Sequence, residues 1–258
     1  MAAEQLPRIG LFVAAHKPWP LPAQPLYRPL GLGGYRPGDA PDALTDVDGD
    51  SIAERNPHYS ELTGWYWIWK NVRDLDVVGL CHYRRYFFLQ PGHPGFHSDK
   101  LYLEPTERNM AGPLFDHPEP LISHVTRQGG VIVPRPVTFP GSVSWQYAHC
   151  HRGSDWQAFL QAIAETSPAH ARRLKYFDTS RQMTPYNMMI APWSFFDDYM
   201  GLLMAVLERT ETLIDYPDDP YQQRIPAFLA ERLFTLHLVT LQPKRLEVPV
   251  LLTDRQAY

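Results

Sequence analysis

The sequence predicts an α/β fold in a single domain, a mostly parallel sheet flanked by helices. Three observations lead there. Short apolar runs of a length that suits buried parallel strands recur along the chain. Between them, apolar residues repeat at helical spacing. No internal repeat, low-complexity tract or linker divides the 258 residues into two self-sufficient halves.

The run Ile9 to Ala14 reads as the first strand, and Ala15-His16-Lys17-Pro18 follows it at once. Polar residues at the carboxyl end of a first parallel strand lie where open α/β sheets bind ligands, so His16 and Lys17 are candidates. Asn56-Pro57 reads as an N-cap with proline at the first helical turn, and Tyr59, Leu62, Tyr66 and Trp69 continue a helix to about Asn71. Asp76 to Cys81 is the next strand, leading into His82-Tyr83-Arg84-Arg85-Tyr86. A helix over Pro118 to Gln128 stops at Gly129-Gly130, ahead of a strand at Val131 to Val133. Helices are expected from Ser154 to Glu165, Ala169 to Tyr176, Ser194 to Arg209 and Gln222 to Leu241, with a strand at Met188 to Ala191. The prolines crowd Pro18 to Pro41, Pro91 to Pro120 and Pro134 to Pro140, which read as long loops.

A net charge of −4 gives no general attraction to polyanions, so nucleic acid is not an expected partner and phosphate recognition must come from a local cluster. Cys81 and Cys150 form no disulfide framework and no metal-binding spacing, which fits a reducing cytoplasm. No apolar run is long enough to span a bilayer, so membrane contact would be peripheral, at the inner face of the plasma membrane.

The richest segment chemically is His82 to Tyr86, which sets two guanidiniums, an imidazole and two phenols at the end of a buried strand. Leaving such groups unpaired costs several kcal/mol, so they require structural partners or a ligand. Arginine suits a diphosphate because its planar fork donates two parallel hydrogen bonds. If the strand continues, His82 and Arg84 share one face and Tyr83 and Arg85 the other, so one arginine, Arg84, is expected to reach the site. Pairing of both arginines with buried carboxylates is the alternative. Asp46, Asp48 and Asp50 have the spacing of a metal-binding pair but sit in a glycine-containing loop, where aspartates form turns. A metal-independent site is therefore expected, with manganese or magnesium the alternative. Of the tryptophans at 65, 67 and 69, the sequence leaves two readings, one or two of them lining a sugar or base pocket or a plain packing role. On the last helix Glu231, seven residues from Arg224, is the leading general base, an ion pair with Arg224 or Arg232 being the other reading. His149, Cys150 and His151 are too close in sequence to converge on one ion.

At these residues the chain resembles a family of bacterial capsular and exopolysaccharide glycosyltransferases. The matching blocks are Phe12 to Lys17, Gly49 to Ile52 with Asn56, Glu61 to Asn71, Val78 to Tyr86, Tyr147 with His151, Tyr186 to Met188, and Phe228 to Leu233. The block ending in His82-Tyr83-Arg84-Arg85-Tyr86 is the most specific. Ser51 departs from the family's usual asparagine, as does the proline-rich stretch from Pro91 to Pro120. The resemblance implies a GT-A-like, Rossmann-like fold and a nucleotide-sugar donor. Some relatives look like galactofuranosyltransferases, which implies a UDP-linked furanose as one donor.

Residues and blocks together give an expected site. His82 and Glu231 are its catalytic pair. His16, Lys17, Asn56, Asp50, Tyr83, Arg84 and Arg85 bind the donor, and Glu61, Trp65, Tyr186, Asn187 and Arg224 serve the acceptor or support the rest. The acceptor is a glycan or a lipid-linked glycan. A non-catalytic glycan-binding or assembly module is the main alternative, with Arg172, Arg173 and Lys175 as its docking cations. A phosphoryl-transfer enzyme fits less well, because the sequence has no P-loop and no nucleophile elbow.

Overall fold

The computed structural model describes residues 6–39 and 43–255. Its strands are β1 (Ile9–Ala15), β2 (Tyr27–Gly31), β3 (Val77–His82), β4 (Arg85–Phe87), β5 (Lys100–Tyr102), β6 (Val131–Pro134), β7 (Val137–Thr138), β8 (Gln182–Met183), β9 (Ile190–Pro192), β10 (Arg245–Val248) and β11 (Val250–Leu252). The helices are α1 (Asn56–Tyr59), α2 (Leu62–Asn71), α3 (Glu107–Met110), α4 (Glu119–Thr126), α5 (Val143–Cys150), α6 (Gly153–Thr166), α7 (Pro168–Ala171), α8 (Tyr176–Thr179), α9 (Trp193–Glu211) and α10 (Ile225–Leu241).

Nine strands form one sheet, and β7 with β8 makes a separate ribbon. The sheet is mixed. Its parallel centre is β2, β1 and β3, and β10 lies parallel to β6. Between these halves β9 runs antiparallel to both β3 and β6. Alternation along the strands sends side chains to two cores. Phe12, Ala14, Val78, Leu80, Val131 and Val133 pack under α2, α6, α9 and α10 on one face. Leu11, Val13, Val77, Cys81 and Ile132 pack with Ile122 of α4, Met110 and Phe115 on the other. Burial on both faces explains why the central strands read as continuous apolar runs.

The expected helix over Asn56 to Asn71 is broken at Ser60, whose φ is 50°. Asn56 holds the break, its Nδ2 donating to Ser60 O at 2.9 Å and Thr63 Oγ1 at 3.0 Å. The basic segment likewise divides into α7 and α8 instead of one helix. The proline-rich stretch after β1 contains β2, where Pro29 is tolerated because β2 pairs with β1 alone among the strands and is otherwise bridged only at Gly31, to Thr45, among the described residues. Among the described residues no helix is long and apolar enough to cross a membrane.

β3 carries the site and threads between β1 and β9 with no room at Gly79. A Cβ there would stand 2.7 Å from Leu11 Cδ2, 2.8 Å from Ile190 Cγ1 and 3.2 Å from the Met189 carbonyl. Gly79→Val is expected to cost about 1–3 kcal/mol of stability, read as a lowered melting temperature. An unchanged melting temperature would contradict this packing.

Candidate active site

β3 ends at His82, and the chain turns back through Tyr83 and Arg84 so that Arg85 of β4 pairs directly with His82. This hairpin overturns the alternation expected of a continuing strand. Both arginines reach the cleft, and Arg85 is the one that stays beside His82. Arg84 donates from Nη1 to Asp254 Oδ2 at 2.9 Å. Arg85 lies over the Tyr186 ring, 4.9 Å from its centroid.

Two adjoining cavities make up the cleft. One, of about 320 Å³, opens at the carboxyl ends of β1 and β3 and is lined by His16, Asn56, Ser60, Tyr83 and Arg84. The other, of about 310 Å³, lies beside α10 and is lined by His151, Tyr186, Asn187, Phe228, Glu231 and Arg232. Glu61, His82, Arg85 and Arg224 border both and therefore mark their junction. Arg224 caps the start of α10 and does not lie within it, and its Nε donates to Ser60 Oγ at 2.8 Å.

A strained turn ties the junction together. Tyr186 and Asn187 have φ values of 76° and 47°, conformations that cost a non-glycine residue about 1–3 kcal/mol and cluster at functional sites. The strain aims backbone groups at both catalytic candidates. The Tyr186 N–H donates to Glu231 Oε1 at 2.6 Å, and the Tyr186 backbone also hydrogen-bonds His82. Asn187 Nδ2 donates to Glu61 Oε1 at 2.7 Å and to the Ala227 carbonyl at 3.1 Å. His82 Nε2, Asn187 Oδ1 and Arg232 Nε are buried with no protein hydrogen-bond partner, all within residues that border the cleft.

Three expected site residues lie elsewhere. Asp50 is exposed in its loop, accepts from the Tyr66 hydroxyl at 3.0 Å, and borders neither cavity. Its neighbours diverge from it, Asp46 accepting from Thr63 Oγ1 at 2.6 Å and Asp48 pairing with Arg36 at 3.0 Å. Lys17 is exposed beside Trp19, 6.0 Å from the ring, whereas His16 does reach the cleft. Trp65 is fully buried and supports the site indirectly, donating from Nε1 to the Asn187 carbonyl at 3.0 Å. None of the three tryptophans lines the cleft, since Trp67 and Trp69 donate to the Asp48 carbonyl and to Asp197. Tyr83 borders the first cavity, and Phe139, Tyr186, Tyr221 and Phe228 border the second. Sequence reasoning did not assign Ser60, Asp254, Gln146 or Tyr221 to the site. Asp254 gives no local signal because it meets Arg84 across 170 positions. Among the described residues no three His, Cys, Asp or Glu side chains are grouped to hold a metal ion.

Electrostatics separate the two catalytic candidates. Burial pushes His82 down to about 3, and the neighbouring Arg85 adds to the effect, so its imidazole is neutral at physiological pH. Burial raises the Glu231 carboxyl above its usual range, opposed by Arg232, whose Nη1 donates to Glu231 Oε2 at 3.0 Å. Arg232 is itself only 3% exposed and is held by Gln146 Oε1 at 2.6 Å.

The architecture is thus a mixed α/β sheet with a cationic, carboxylate-containing cleft at the ends of its central parallel strands. It closely matches the apo structure of the bifunctional glycosyltransferase WbbM, with a TM-score of 0.81 and 23% sequence identity over 96% of this chain. The match covers 46% of that protein, so the chain spans less than half of its length. The fold is therefore the GT-A-like one that the resemblance implied. The chain belongs to the DUF4422 family, described as a domain of unknown function, whose model matches residues 10–242. No curated protein matches it.

Two buried histidines set an acid limit on this structure. His82 and His237 are each lowered from 6.5 to about 3, chiefly by burial. The unfolded chain takes up their protons near pH 6.5 while the folded chain does not. Their contribution is therefore full above that pH and is lost as pH falls toward 3, with Glu231 acting in the opposite sense. The melting temperature is expected to fall across this window, and less steeply in His82→Gln and His237→Gln. Equal slopes in wild type and both variants would refute the assignment.

Proposed function

We propose that the protein is a glycosyltransferase that moves a sugar from a UDP-linked donor to a surface polysaccharide or lipid-linked glycan. The carrying observation is the convergence of Arg84, Arg85 and Arg224 with His82 at the carboxyl ends of β1 and β3. A diphosphate is the ligand whose charge and geometry such a set of planar, permanently charged donors fits. The fold shared with WbbM supports the same reading.

In this reading the cavity at β1 and β3 takes the nucleoside diphosphate, and His16, Asn56 and Tyr83 border it. The guanidiniums neutralise charge as the diphosphate leaves, which is electrostatic stabilisation by groups already in place. Transfer then proceeds without a divalent cation. Glu231 takes the acceptor hydroxyl's proton. Its raised pKa brings it nearer the working pH, where a general base is most effective. Neutral His82 orients a donor hydroxyl by hydrogen bonding and carries no charge through the reaction. UDP-galactofuranose is one donor in this reading, on the strength of the resemblance alone. In this reading the protein works in the cytoplasm, against the inner face of the plasma membrane.

The test is a thermal-shift titration with UDP, UDP-sugars and other nucleotides, with and without manganese, on wild type and Arg85→Ala. UDP species are expected to raise the melting temperature of wild type without metal, by mass action on the native state, and not that of the variant. Glu231→Gln is expected to keep the UDP shift and lose about 10²- to 10⁴-fold in transfer rate. No shift with any nucleotide would favour the non-catalytic glycan-binding module.

A further inference from the structure

The cavity beside α10 has an aromatic wall that the donor chemistry leaves unused. Tyr221 is 58% exposed, yet it is held firmly. Asp219 Oδ1 accepts from the Tyr221 N–H at 2.8 Å and the Gln222 N–H at 3.0 Å, fixing the turn. Gln222 then clamps the turn to the end of α5, with Oε1 3.0 Å from His151 Nδ1 and Nε2 donating to the Cys150 carbonyl at 3.1 Å. The Tyr221 ring lies against Phe228 with centroids 5.2 Å apart, and Phe228 stacks on His151 at 4.2 Å and 25°. All three border the cavity that contains Glu231.

A large ring left exposed normally has freedom to move, whereas this one lies against Phe228 on a turn whose backbone is pinned by Asp219, and is preorganised for a partner. The ring face meets apolar C–H groups, while Glu231, Gln146 and Arg224 around it offer both acceptors and donors. A sugar ring presents this combination, an apolar C–H face with hydroxyls at its edge. A phosphate or an acyl chain does not. We infer that Tyr221, backed by Phe228 and His151, is the platform of an acceptor subsite that takes a neutral sugar ring and sets its hydroxyl toward Glu231. The acceptor role rests on the glycosyltransferase reading, and the platform itself rests on the stack.

The experiment is saturation-transfer NMR on the full chain with a panel of neutral methyl hexopyranosides, for wild type, Tyr221→Ala and Tyr221→Phe, with the UDP thermal shift recorded on each. Transfer is expected to the C–H face of at least one glycoside. Binding should weaken about ten-fold in Tyr221→Ala and be kept in Tyr221→Phe, which retains the stacking face. The UDP shift should be the same in all three. No saturation transfer in wild type, or equal binding by wild type and Tyr221→Ala, overturns the platform even where UDP binds. Glycoside binding that depends on Tyr221 in a protein that no nucleotide shifts would leave the platform standing and sink the donor reading instead.

Discussion

Four guanidinium groups share one partly desolvated cleft, and most of the local architecture answers that constraint. Each is held by a different element. Arg84 meets Asp254 near the end of the chain, Arg85 lies on the Tyr186 ring, Arg224 is fixed by Ser60, and Arg232 is divided between Glu231 and Gln146. Removing one partner of a buried charge costs more than the pair contributes, so these anchors hold one another in place. The compensation is local and incomplete, which leaves the cleft cationic within a chain of net charge −4.

The anchors also explain the irregular backbone. Ser60, Tyr186 and Asn187 adopt positive φ without being glycine, and each supplies a group that orients a cleft residue. Ser60 sets Arg224. Tyr186 spends its backbone on Glu231 and His82, and Asn187 joins Glu61 to the first turn of α10 through the Ala227 carbonyl. Trp65, buried under the same turn, holds the Asn187 carbonyl from the core side. Strain of this kind persists because surrounding contacts over-determine it. The charged groups of the cleft are pinned by these contacts, and Tyr221 is the exposed part of its aromatic wall.

The two cavities differ in chemistry because they draw on different parts of the fold. The first opens on strand ends, where polar side chains emerge from a sheet buried on both faces. The second lies between a helix and the β7–β8 ribbon, so apolar side chains such as Val137, Phe139 and Met183 form part of its wall. Glu61, His82, Arg85 and Arg224 stand where polar and aromatic regions meet.

Much of this was determined by the sequence alone. β1, β3, β6 and β9 were legible as apolar runs, and α4, α6, α9 and α10 as helical periodicities, because burial writes a local pattern. The concentration of Arg84, Arg85 and His82 at a strand end was equally visible, as were Glu231 and the Tyr186-Asn187 pair. The tertiary structure decided which of these meet. β5, β10 and β11 pair only with strands distant in the sequence, and β4 is the short return of a tight hairpin, so no local periodicity marks them. The hairpin at Tyr83-Arg84 reversed the face that simple alternation assigned to Arg85. Trp65 and Trp67 went to the core, Trp69 lies half-buried with its indole N–H on the exposed Asp197, and Asp50 kept to its loop. Asp254 and Tyr221 entered the site through contacts that no local spacing encodes, because a cleft is a property of where distant elements end.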